Sequence, residues 1–123
     1  MYKALKAAQQ HNLSIQRVEN RVVAGMFDMK VEGAGKFSAW VENKVAKTLD
    51  SDIGLRSTQV SWFLKNEVMG FLFVFVESEN SYYLKKLDNK YHLLKMYLRS
   101  VPMSVNNLGA KKIELCDFHL EIF

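Results

Sequence analysis

The sequence predicts an α+β two-layer sandwich, in which two main helices pack on one face of an antiparallel sheet of four to five strands. Three observations lead there. Residues 68–76 contain no polar side chain and are rich in β-branched and aromatic residues, the mark of a strand covered on both faces. Phe27, Met29 and Val31 alternate with Asp28, Lys30 and Glu32, the pattern of a half-buried strand. Leu84, Leu87, Tyr91, Leu94, Leu98 and Val101 recur at three-and-four spacing, the stripe of an amphipathic helix.

The elements follow in order. Residues 2–10 predict a short N-terminal helix through Tyr2, Leu5 and Ala8, stable only when docked. Residues 13–32 read as extended but exceed one strand, so a turn near Glu19 and Asn20 makes them a hairpin. Gly33, Ala34 and Gly35 end it. Phe37, Trp40, Val41, Val45, Thr48 and Leu49 then recur at helical spacing, predicting a helix over residues 36–49. Residues 50–58 are polar, contain Gly54 and read as a loop.

Val60, Trp62 and Leu64 alternate with Ser61 and Lys65, predicting a strand joined through Lys65, Asn66 and Glu67 to the apolar strand as a hairpin. A long helix over residues 80–101 starts at Asn80 or Ser81 and stops before Pro102. In residues 112–123, Ile113 and Leu115 lie in one phase and Phe118, Leu120 and Ile122 in the other. That predicts a final strand with a bulge near Cys116 and Asp117. The whole reads as one domain, residues 1–123, with the short N-terminal helix added to a ferredoxin-like β-α-β-β-α-β order.

With 123 residues, 49% of them hydrophobic, the chain can bury a core without a disulfide or a metal. The single cysteine, Cys116, rules out an intrachain disulfide, and the N-terminal residues lack the apolar stretch of a signal peptide. The expected location is cytoplasmic. Residues 68–76 fall far short of the ~20 apolar residues of a membrane span. The net charge is +4, from 13 lysines and four arginines against 13 acidic residues. Lysine makes poorer bidentate base contacts than arginine, which weakens a sequence-specific nucleic-acid reading.

Three motifs invite chemistry. Gly33-Ala34-Gly35-Lys36 sits where a phosphate loop would, but that pattern needs glycine at 30 and Ser or Thr at 37, where this chain has Lys30 and Phe37. Asp117, His119 and Glu121 would share a face of the last strand beside Cys116, yet His11 and His92 are isolated and no second cysteine completes a metal set. Asp50, Asp52 and Gly54 match only the start of a calcium loop. No catalytic, metal or cofactor residue is therefore expected, and no enzyme.

The surfaces are more suggestive. Along the apolar strand Phe71, Phe73 and Phe75 share one face while Leu72, Val74 and Val76 share the other. Helices cover one face; the aromatic one needs the N-terminal segment, a second copy or a partner. On the outside of the long helix, Lys85, Lys95 and Arg99 cluster on one flank, and Tyr82, Leu93 and Met96 lie on another arc, a mixed contact surface. Residues 69–76 also resemble the octamer of RNA-recognition-motif domains: Gly70 matches its glycine, Phe71 and Phe73 its stacking aromatics, and Val74 its aliphatic, while Met69, Leu72 and Val76 depart. That resemblance implies bases stacked on Phe71 and Phe73.

The expected function is a non-enzymatic interaction protein, an accessory factor or inhibitor of the kind mobile elements also encode. It would dock a protein or nucleoprotein partner, or pair with its own copy. The alternative is a single-stranded nucleic-acid binder using the aromatic face and the lysines.

Overall fold

A computed structural model describes residues 2–4, 14–18, 24–33 and 38–122 of the chain. Six strands form one sheet in sequential order: β1 (Ser14–Arg17), β2 (Met29–Glu32), β3 (Ser38–Ala46), β4 (Gly70–Val76), β5 (Ser81–Lys86) and β6 (Lys111–Ile113). Neighbours are antiparallel except β3 and β4, which run parallel from Trp40 opposite Gly70 to Ala46 opposite Val76. The α+β class stands. The sheet, however, is mixed and sequential, and the order is not ferredoxin-like.

The parallel pair accounts for two corrections. Parallel neighbours cannot be joined by a tight turn and need a crossover. The crossover is α1 (Ser57–Lys65), at the place where alternation predicted a strand. Its buried residues, Gln59, Val60, Trp62 and Phe63, follow a helical period, while Val60, Trp62 and Leu64 happen also to alternate. At the start of β4, a Cβ on Gly70 would overlap the Phe63 ring, so only glycine lets α1 lie this close to the sheet.

The second correction is β3, predicted as a helix. Its residues alternate, with Ala39, Val41, Asn43 and Val45 on one face and Trp40, Glu42, Lys44 and Ala46 on the other. Charged side chains at Glu42 and Lys44 break the apolar alternation by which a strand is recognised. The predicted hairpin before it does form, since β1 pairs with β2 from Ser14 opposite Glu32 to Arg17 opposite Met29. Its turn at Glu19 and Asn20 lies outside the described residues, as do residues 5–10 of the predicted N-terminal helix; Tyr2–Ala4 are helical.

The predicted helix over residues 80–101 is two elements, β5 and α2 (Lys90–Leu98). Asn80 takes a left-handed turn (φ 46°) rather than capping a helix, and the α2 cap is Asn89, whose side chain accepts from the His92 N–H at 2.9 Å. The buried residues of α2 are Leu93 and Met96, not the leucine stripe: Leu98 is 71% exposed. A short helix α3 (Val105–Leu108) follows. After β6 the chain turns into α4 (Phe118–Ile122), where a bulged strand was predicted; the phase change at Cys116 marks helix entry.

Two apolar layers result. On one side of the sheet Ile15, Met29, Val31, Val41, Phe71, Phe73 and Leu84 pack under Phe118 and Ile122 of α4. On the other, Leu72, Val74, Val76 and Ala46 pack under Val60, Trp62 and Phe63 of α1 and Leu93 and Met96 of α2. Among the described residues no helix is long and apolar enough to cross a membrane.

Candidate functional site

The layer beneath α1 is interrupted at one place. Glu42 is 4% exposed and Gln59 fully buried, both in a region otherwise built of Trp40, Trp62, Val60 and Leu72. Strand alternation puts Glu42 and Lys44 on the same face of β3. The first turn of α1 brings Gln59 down onto both. Gln59 Nε2 donates to Glu42 Oε2 at 2.6 Å, and Lys44 Nζ donates to Gln59 Oε1 at 3.0 Å and to the Gly54 carbonyl at 3.1 Å. Lys44 Nζ also lies 3.5 Å from Glu42 Oε2. The same Gln59 Oε1 accepts the Arg56 N–H at 3.0 Å, closing the N-terminus of α1 from within. One amide thus fixes a carboxylate, an ammonium and a helix end.

Asp28 completes the group from β2. It lies just before β2, one step beyond the Met29–Val41 pair, and meets Glu42 through its backbone. Its N–H donates to Glu42 Oε1 at 3.2 Å. Its Oδ1 accepts from the Asn43 N–H and from Asn43 Nδ2, both at 3.2 Å. The approach depends on Gly25 (φ 82°), where a Cβ would overlap the Thr58 carbonyl of α1. Residues 24–28 therefore lie against the helix that carries Gln59.

Burying an ion pair is costly, and apolar residues of similar volume would often stabilise a fold at least as well. Side chains kept charged in such a place are functional-site candidates. A buried carboxylate held beside a lysine can bind a hard cation, position a water molecule and meet an anionic substrate. Among the described residues no three His, Cys, Asp or Glu side chains converge, so a closed zinc-type site is not built. A magnesium-type ion needs less, because it is commonly held by one or two carboxylates and completes its shell with water and substrate oxygens.

The residues singled out from sequence lie elsewhere. Phe71 and Phe73 are buried, at 1% and 0% exposure, beneath Phe118 and Ile122 of this same chain. Phe73 stacks on Tyr82 at 5.3 Å and meets Phe118 edge-on at 5.2 Å; Phe75, half-buried, lies 5.0 Å from Tyr82. The aromatic face is covered by the C-terminal helix and offers no base a platform. Leu93 and Met96, expected on a contact surface, are core residues of the opposite layer. Lys85 lies opposite Leu72, on that layer's side of the sheet, and Lys95 and Arg99 are exposed on α2 and at its end, so these cations are not beside the phenylalanines.

No protein-family model matches the chain, and no curated protein is significantly similar to it.

The remaining motifs are structural. Asp52 accepts from the N–H groups of Gly54 and Met103, and Asp50 from Asn106 Nδ2. Glu121 pairs with Lys111 at 2.8 Å, and Cys116 is exposed. Of the glycine turn, Gly33 alone is described. The sequence reading missed Asp28, Glu42, Lys44 and Gln59. The available signal was Glu-Asn-Lys inside an apolar run, preceded by an acidic residue at the start of the neighbouring strand.

Proposed function

We propose that this chain is a divalent-cation-dependent phosphodiesterase acting on nucleic acid, with its site at Glu42 and Lys44. The observation that carries this reading is the buried contact of Glu42, Lys44 and Gln59, with the Asp28 N–H donating to Glu42. The expectation of a non-enzymatic protein rested on finding no acid–base group supported by a second residue; the contacts of Glu42 with Lys44 and Gln59 are what favours the enzymatic reading instead. A bound magnesium-type ion would polarise a phosphoryl oxygen and acidify a water molecule. Glu42 would hold that ion, with water and substrate oxygens completing its shell. Lys44, fixed by the Gly54 carbonyl and Gln59, would hold the attacking oxygen or neutralise charge developing on the phosphate. Gln59 is a positioning residue, since it acts through the other two. A net charge of +4 suits a polyanionic substrate.

The test is cleavage of single- and double-stranded DNA and RNA by the purified chain with Mg²⁺ or Mn²⁺. Expected are chelator-sensitive hydrolysis and a loss of about 10²–10⁴-fold in Lys44→Met, the usual scale for a proton-transfer group. Absence of cleavage of every substrate, with no cation binding by calorimetry, overturns the reading.

A second reading follows from a separate observation. Val60 and Leu64 of α1 and Leu94, Tyr97 and Leu98 of α2 line an apolar groove, with Leu98 and Tyr91 more than two-thirds exposed. The groove suits a docking surface, with a second copy of the chain as the simplest occupant. A dimer by light scattering that Leu98→Glu splits would support it; a monomer at high concentration would overturn it.

A further inference from the structure

The hydrogen bond that reaches Glu42 from the β2 side comes from a backbone group turned out of its ladder. The register that sets Arg17 opposite Met29 puts Val18 opposite Asp28. In an antiparallel ladder, a pair that shares one backbone bond exchanges both. Here the Val18 N–H donates to the Asp28 carbonyl at 2.9 Å, while the Asp28 N–H turns to β3 and donates to Glu42 Oε1 at 3.2 Å. A bend at Asp28 makes that turn. Phe27, just before it, is fully buried against Trp62 at 5.0 Å and Phe63 at 5.7 Å, which fixes the segment.

The Asp28 side chain holds the bend from the other face of the sheet. Its Oδ1 accepts the Asn43 N–H and Asn43 Nδ2, both at 3.2 Å. Alternation puts Asn43 with Val41 on the α4 side of β3, opposite Glu42. Asn43 serves Asp28 at a cost. Its own Oδ1 is enclosed by protein and has no donor among the described residues. Exchanging the two ends of the amide gives no relief, because the oxygen would then face the Asp28 carboxylate. A buried oxygen without a donor is destabilising and calls for an explanation.

We infer that Asp28 is a positioning residue for Glu42: its carboxylate, anchored on Asn43, keeps the bend that aims its own N–H at Glu42 Oε1. With Oε1 so held, Oε2 is the oxygen presented to Gln59 at 2.6 Å and to Lys44 at 3.5 Å. The inference rests on the cation-dependent reading of Glu42 and Lys44. Asp28 contributes no ligand to that site; it acts through the main chain, from one face of the sheet to the other. Asn43 in turn is retained for its nitrogen, which orients Asp28.

Mn²⁺ binding to the full chain, followed by electron paramagnetic resonance and calorimetry, tests this without any substrate. Asp28→Ala keeps the backbone N–H but frees the bend, so affinity is expected to fall roughly 10–100-fold, the scale of losing a supporting group at a metal site. Asp28→Asn keeps an oxygen for the Asn43 N–H groups and is expected to restore affinity, since the charge of residue 28 is not what Glu42 uses. Circular dichroism checks that both variants are folded. An N–H bound to a carboxylate forms a charge-assisted hydrogen bond, so the Asp28 amide proton should resonate downfield and move upfield in Asn43→Leu. Wild-type affinity in folded Asp28→Ala would overturn the role of Asp28 and leave the cation reading intact. Equal losses in Asp28→Asn and Asp28→Ala would overturn it as well, because the charge would then be what matters. Should Asp28→Ala fail to fold, an unmoved Asp28 amide proton with unchanged affinity in Asn43→Leu would overturn it. No Mn²⁺ binding by the wild type would remove both readings.

Discussion

The two faces of one sheet are built by different rules. Beneath α4, the layer of Phe71, Phe73, Val41, Met29 and Phe118 consists of apolar side chains at every fully buried position. Beneath α1, the layer has comparable aromatic content, with Phe27, Phe63, Trp62 and Trp40, yet it admits a glutamate, a lysine and a glutamine at its centre. The first face is what a chain makes when stability alone decides the residue. The second tolerates charge where apolar residues would fit, and so points to work other than folding. The aromatic strand drew attention first in the sequence; the chemistry lies on the other side of the sheet.

The largest expected effect belongs to the apolar face. Phe73 is fully buried between Tyr82 and Phe118, so Phe73→Ala should cost about 3–5 kcal/mol in denaturant unfolding. The fraction that stays folded should keep its cation affinity, because Phe73 packs on the α4 side of the sheet and Glu42 and Lys44 face α1. A loss below about 0.5 kcal/mol would mean that α4 does not cover this face.

Next comes the polar face, where the comparison can be broken outright. Gln59→Ala removes the amide that Glu42 and Lys44 share, and losing a hydrogen bond to a charged group costs about 1.5–3 kcal/mol. The double replacement Glu42→Leu with Lys44→Met removes the charges together but strands the buried Gln59 amide, so it should cost no more than Gln59→Ala, about 1–3 kcal/mol. It should also abolish cation binding. A strongly destabilised double variant would show that the cluster is needed for folding, and the contrast between the two faces would collapse.

What the sequence disclosed follows the same divide. Strand β4, the β1–β2 pairing and the α+β class were legible because apolar pattern alone specifies them. Strand β3 was misread as a helix. By alternation five of its nine residues, Ser38, Trp40, Glu42, Lys44 and Ala46, point to the α1 side, and two of them carry charge. With the charges at positions that should be apolar, the surviving pattern of Trp40, Val41 and Val45 fitted a helix better. The residues that carry the proposed chemistry were the ones that hid their own strand. In β5 and α2 the failure was of another kind, since Leu84 and Leu87 extend a stripe of leucines backward across a strand and a loop. Neither error involves cofactor chemistry; both come from reading one period where tertiary pairing imposed another.

The smallest effect tests that leucine stripe. Sequence periodicity puts Leu94 and Leu98 in the core, where truncation to alanine would cost about 2–5 kcal/mol. The structure turns α2 so that Leu93 and Met96 point inward, Leu94 is half-buried along the groove and Leu98 is 71% exposed. Leu98→Ala should therefore change stability by no more than about 0.5 kcal/mol, the ordinary range for a surface substitution. Met96→Ala, only two residues away, should cost about 2–5 kcal/mol. Urea unfolding of the two variants side by side decides which face of α2 is buried. If Leu98→Ala proved the costlier, the helix would be rotated, and with it the groove offered as a docking surface. If the costs fall as expected, Leu98 is an apolar side chain left on the outside, and its effect on self-association can be measured without disturbing the fold.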